Sequence, residues 1–133
     1  MDDTRLHLLG QSAEDLPAIS ALLQDATLRL PDIAYAAPAR RLVLLVNRYR
    51  WEAKTPSRVR CALRIETVLG VQRQNWPSDP EAVLALLALA HDGEFLTLSF
   101  SGGAAIRART EVIEVVLEDL AAPWETARQP THS

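Results

Sequence analysis

The chain has 133 residues, 48% of them hydrophobic and 23% charged, and a net charge of −3; that composition fits one globular domain and excludes a disordered or membrane-embedded chain. The longest apolar runs, at 42–46 and 82–90, fall far short of the about 20 residues a membrane-crossing helix needs. One cysteine, Cys61, excludes an internal disulfide framework.

Residues 5–9 read as a short strand stopped by Gly10. Ser12 then offers a capping hydroxyl, Glu14 and Asp15 sit where a helix dipole is positive, and Pro17 is tolerated only in a first turn. Leu16, Ile19, Leu22 and Leu23 recur at helical spacing, so a helix is expected over about 13–25. The stretches 26–30 and 33–36 flank Pro31-Asp32 and read as two short strands or one broken strand.

Residues 41–51 form a longer strand, with Val43, Leu45, Tyr49 and Trp51 at odd positions and Leu42, Leu44, Val46, Arg48 and Arg50 at even ones. Its first half is apolar on both faces. In the next strand Val59, Cys61, Leu63 and Ile65 alternate with Arg58, Arg60 and Arg64. Strand character continues over 68–72 around a break near Gly70.

The stretch 82–90 carries two signals. Asp79-Pro80-Glu81 is a good helix start, and Ala and Leu favour helix. But His91-Asp92-Gly93 is a turn, and Leu96, Leu98 and Phe100 then alternate with polar residues. A hairpin explains both flanks, so 85–90 is read as strand with one helical turn near Pro80. Ser101-Gly102-Gly103 makes the next tight turn, and strand resumes over 105–109. A last helix is expected over about 110–120, with Val112, Ile113, Val116, Leu117 and Leu120 inward and Glu111, Glu114, Glu118 and Asp119 outward.

These elements give an α+β fold: a bent antiparallel sheet or barrel of about seven or eight strands. A helix stands near each end of the chain, pleckstrin-homology-like by architectural analogy, which supplies no ligand. The single domain spans 1–124, and 125–133 is expected to be a flexible tail.

Chemistry is sparse. Ser101-Gly102-Gly103 lies between strands and lacks Walker or G-x-G-x-x-G spacing, so its glycines serve a turn. His7, His91 and His132 lie far apart and none pairs with Cys61 at metal-ligand spacing. Cys61 falls on the apolar face of its strand. No catalytic residue, metal site or cofactor is expected. The acidic opening Met1-Asp2-Asp3 is unlike a signal peptide, and a cytoplasmic protein is expected.

Arginine is the exception. Between Arg40 and Arg64 eight basic residues stand against one acid, Glu52. If Arg50 pairs opposite Arg58 and Arg48 opposite Arg60, then Arg48, Arg50, Arg58, Arg60 and Arg64 project from one hairpin face while Tyr49 and Trp51 line the core; a register shifted by one would bury arginine. Such a face suits an acidic protein or RNA, and the protein is read as a non-catalytic binding or adaptor domain. The internal alternative is neutralisation by Glu111, Glu114 and Glu118 or by another subunit. An enzyme or ligand-binding protein with a pocket between sheet and helix, or a homo-oligomer, are the other readings.

The stretches Leu22-Leu23-Gln24-Asp25-Ala26, Asn47-Arg48-Tyr49-Arg50-Trp51-Glu52, Ala62-Leu63-Arg64 and Phe100-Ser101-Gly102-Gly103-Ala104-Ala105-Ile106-Arg107 together resemble a family of small uncharacterised proteins, mainly alphaproteobacterial. The resemblance implies a bacterial cytoplasmic protein and strand around Leu87. It brings no catalytic signature.

Overall fold

Alternation along the chain becomes strand pairing over most of its length. The computed structural model describes residues 5–121 and 124–125, and in it eleven strands join one antiparallel sheet. In chain order they are β1 (His7–Gly10), β2 (Ala26–Arg29), β3 (Ile33–Ala36), β4 (Arg41–Tyr49), β5 (Ser57–Ile65), β6 (Val68–Gln74), β7 (Val83–His91), β8 (Phe95–Phe100), β9 (Ala105–Thr110), β10 (Val115–Asp119) and β11 (Trp124–Glu125). A 3-10 turn at Ala13–Asp15 leads into a short helix, α1 (Leu16–Leu22), which has Pro17 in its first turn as expected. Among the described residues no helix is long and apolar enough to cross a membrane.

In space the strands run β1-β10-β5-β4-β2-β7-β8-β9-β6, with β3 beside β4 and β11 beside β5. Only Glu66 and Thr67 join β5 to β6, although five strands stand between them in this order. Two linking residues reach about 10 Å at most. The sheet must therefore roll over until its β6 edge returns to β5. Backbone bonds close that corner: Val68 N–H donates to Arg40 O at 2.8 Å, Glu66 N–H to Glu114 O and Glu111 N–H to Thr67 O, both at 3.0 Å.

The rolled sheet encloses one core. Leu42, Leu44 and Val46 of β4 meet Cys61, Leu63 and Ile65 of β5, Leu96, Leu98 and Phe100 of β8, Ile106 of β9 and Leu117 of β10. From α1 and the residue after it, Leu16, Ile19 and Leu23 complete the cluster. Gly10 lets the helix sit this close, because a Cβ there would stand 2.8 Å from Ile19 Cδ1.

The strand over 85–90 and the Gly102-Gly103 turn form as expected, the two glycines with φ of 74° and 79°. The broken strand around Pro31 is also there: β2 and β3 both pair with β4, separated by a 3-10 turn at Leu30–Asp32. The helix expected over 13–25 is shorter than predicted. The helix expected over 110–120 is absent; Thr110 ends β9, and Val115–Asp119 is a strand between β1 and β5. The sequence 112–120 satisfies both periods. Burial of Val115, Val116 and Leu117 on both faces of a central strand, with β-branched residues abundant, decides for strand. Without that closing helix the pleckstrin-homology analogy loses its defining piece. Of the expected tail, Glu125 pairs with Ser57 in β11, and 126–133 lie outside the described residues.

Candidate functional site

The β4–β5 hairpin corrects the expected register. Tyr49 stands opposite Arg58, Arg48 opposite Val59 and Val46 opposite Cys61. Even positions of β4 therefore share the inner face with Val59, Cys61 and Leu63, and Arg48 goes into the core at 0% exposure. Tyr49 joins Arg58 on the outer face, where the Arg58 guanidinium lies 5.9 Å from its ring centroid. The five arginines do not share one face.

What makes buried Arg48 tolerable is two carboxylates. Its Nε and Nη2 donate to Oδ1 and Oδ2 of Asp119, each at 3.1 Å. Its Nη1 and Nη2 donate to Oε1 and Oε2 of Glu52 at 2.9 and 2.8 Å. Asp119 is itself buried and also accepts Leu6 N–H at 2.9 Å. Burial alone would lower the Arg48 pKa, but its hydrogen bonds to Glu52 and Asp119 outweigh that and raise it. Arg50 is buried beside them, donating to Ser57 Oγ at 3.2 Å with its Nε 3.9 Å from Glu52. Neutralisation of Arg48 comes from Glu52 and from Asp119, which the sequence placed on an outward helix face, and not from Glu111, Glu114 or Glu118; Glu111 pairs with Arg40 instead.

Arg58, Arg60 and Arg64 lie along the outer face of β5. Arg58 donates to Asn47 O at 3.1 Å, and Arg60 pairs with Asp32 at 3.2 Å. Arg64 Nε is buried without a hydrogen-bond partner. Cys61 is sealed in the core, and burial pushes its thiol up to about 12, too high to supply a thiolate near neutrality. His91 Nδ1 accepts Gly93 N–H, His7 lies 3.9 Å from Glu118, and His132 lies outside the described residues. Among the described residues no three His, Cys, Asp or Glu side chains converge as metal ligands.

A second feature follows from how the sheet rolls. β3 pairs only with β4 and β6 only with β9, so beyond the Val68–Arg40 bond the two edges form a seam without a ladder. Inner-face side chains of both strands line it: Ile33 and Tyr35 from β3, Val71 and Arg73 from β6. Leu42 and Ile106 form its floor, and Leu30, Trp76, Pro77, Ser78 and Pro80 close it off, giving a groove of about 510 Å³. Trp76 is held edge-on against Phe100 at 5.9 Å, and Arg73 lies 5.6 Å from the Trp76 ring. Arg73 is the one charged residue in the lining, and it pairs with no carboxylate among the described residues.

The groove lies between strands, whereas the alternative reading of the sequence puts a pocket between sheet and helix. Its key residues, Tyr35, Arg73 and Trp76, carry no motif in the sequence. Only the inward alternation of Val71 and Arg73 hints at them, because a groove made by two unpaired edges is a property of long-range topology.

Residues 6–132 match the family model described as a protein of unknown function, DUF2948. The chain belongs to that family. No curated protein matches it, and no solved structure does.

Proposed function

We propose that this domain binds, without transforming, a small amphipathic molecule that has an apolar body and an anionic end. The observation that carries this reading is the open β3–β6 seam, an apolar groove with a single cation, Arg73, that pairs with no carboxylate among the described residues. Its volume lies within the usual range for small-molecule sites, and mostly apolar walls with a few placed polar groups are their common chemistry. Tyr35 and Ser78 supply hydroxyls beside the guanidinium, and Trp76 a flat ring. Titration with decanoate, decanol and decyltrimethylammonium, followed by tryptophan fluorescence, tests it. Decanoate is expected to bind best, and R73Q to weaken it about tenfold, as loss of a charge-assisted contact implies. Equal affinity for all three amphiphiles, or none for any, refutes the reading.

A second reading keeps the docking of an acidic protein or RNA through Arg58, Arg60 and Arg64. Supporting it is the outer face of β5 that the three share. Exposed Trp124, paired opposite Arg58, extends that face. Buried Arg48 and Arg50 are not among its docking groups. Recovery of a partner from lysate that falls with salt in wild type and disappears in R58Q/R64Q supports it, and nuclease sensitivity separates RNA from protein.

A further inference from the structure

On the other side of the Leu30–Asp32 turn lies a second pocket of about 300 Å³, this one polar. It opens where β4 leaves β3 after Leu44 and takes up β2 at Asn47. Thr27, Asn47 and Arg60 form a cross-strand row over β2, β4 and β5, and Arg29 and Asp32 flank it.

We infer that this pocket binds a compact oxyanion, a carboxylate or a phosphate, on Arg60. The inference comes from the hydrogen-bonding capacity the residues leave unspent. Asp32 is the only carboxylate in the lining, and each of its oxygens already accepts a hydrogen bond: Oδ1 from Arg60 Nη2 at 3.2 Å and Oδ2 from Arg29 N–H at 3.0 Å. Asn47 Oδ1 accepts Arg60 Nη1 at 3.3 Å. These bonds fix the guanidinium plane before any ligand arrives, which limits the ordering cost of binding. What remains are mainly donors: the other N–H groups of Arg60, the Asn47 amide NH₂, the Thr27 hydroxyl, which can donate or accept, and the Arg29 guanidinium, whose one ionic contact among the described residues is a loose 3.9 Å approach to exposed Glu81. A pocket with more free donors than acceptors and two arginines against one carboxylate selects an anionic acceptor. Arg60 thereby acts as a local anion seat, separate from the groove beyond the turn.

Thermal denaturation with added inorganic phosphate, succinate or neutral succinamide tests this. Phosphate or succinate is expected to raise Tm saturably, succinamide to leave it unchanged, and the comparison of the two anions identifies the preferred class. R60Q should abolish the rise, while R64Q, on the same strand face outside the pocket, should retain it. Should R60Q not fold, R29Q, which keeps the backbone bond to Asp32, should weaken the response severalfold. No rise in wild type, or equal loss in R64Q, overturns the inference.

Discussion

The inner end of β4 and the β3–β6 seam treat charge and water in opposite ways. At Arg48 a cation is sealed in the core, and four of its five N–H groups meet carboxylate oxygens. At the seam, apolar side chains are left open to solvent beside an arginine that has no carboxylate partner among the described residues. The first arrangement is closed and complementary, so changing any member unbalances the fold. The second is incomplete as it stands, so changing its members should affect what it holds far more than its stability. The pair also shows why an arginine count is a poor guide to a docking surface: the residue with the strongest ionic contacts is the one solvent cannot reach.

The largest effect should come from unbalancing the sealed end. R48M leaves Asp119 buried without its cation and should lower the unfolding free energy by about 3–5 kcal/mol in urea denaturation. R48K should rescue little, because an ammonium has three donors and no planar fork, and cannot reproduce the two bidentate contacts to Asp119 and Glu52. The double variant R48M/D119L should recover much of the loss, since an apolar replacement of a buried pair is often near neutral. If R48M alone is harmless, the cluster is not holding the hairpin.

Glu52, half-exposed at the cluster's outer edge, should matter less. Burial would raise its pKa, but hydrogen bonding from Arg48 dominates and lowers it. A carboxylate lowered on folding stabilises above its unfolded value, about 4.3 for Glu, and loses that contribution as pH falls through the folded value. Wild type should therefore lose more stability than E52Q between neutral pH and acid. Asp15 and Asp92, lowered by backbone hydrogen bonds from Gln11 and from Phe95, act in both proteins and cancel in the difference. Parallel pH–stability curves for the two would show that the Arg48–Glu52 contact contributes nothing.

At the seam, R73Q should leave stability within about 0.5 kcal/mol of wild type, the usual range for an exposed substitution away from special features. A larger loss would mean that Arg73 is structural. Smallest of all, Cys61 should stay unreactive toward a disulfide reagent at pH 8 until the protein is unfolded, since it combines burial with a raised thiol pKa. Rapid native labelling would show that the sealed end opens.

Sequence alone conveyed the local turns and alternations well. The Val59–Ile65 alternation, the turn at Gly93, the Gly102-Gly103 turn and the break at Pro31 each rest on residues close in the chain, and each is found. Two expectations failed for a shared reason. The stretch 112–120 fits helix and strand periods equally, and its place between β1 and β5 is decided by partners fifty or more residues away. The β4–β5 register was chosen to keep Arg48 out of the core, which is sound unless a distant carboxylate waits there, and Asp119 does. The seam was least legible, since it exists only because two edges that lie near each other have no ladder between them.

Backbone amide NMR during titration with decanoate locates any bound ligand directly. Shifts should concentrate at Ile33, Tyr35, Val71, Arg73 and Trp76, and R73Q should reduce them without disturbing the remaining spectrum. Shifts centred instead on Arg58 and Arg64 of the outer face, or no saturable shift at the seam, would contradict a ligand-binding groove between β3 and β6.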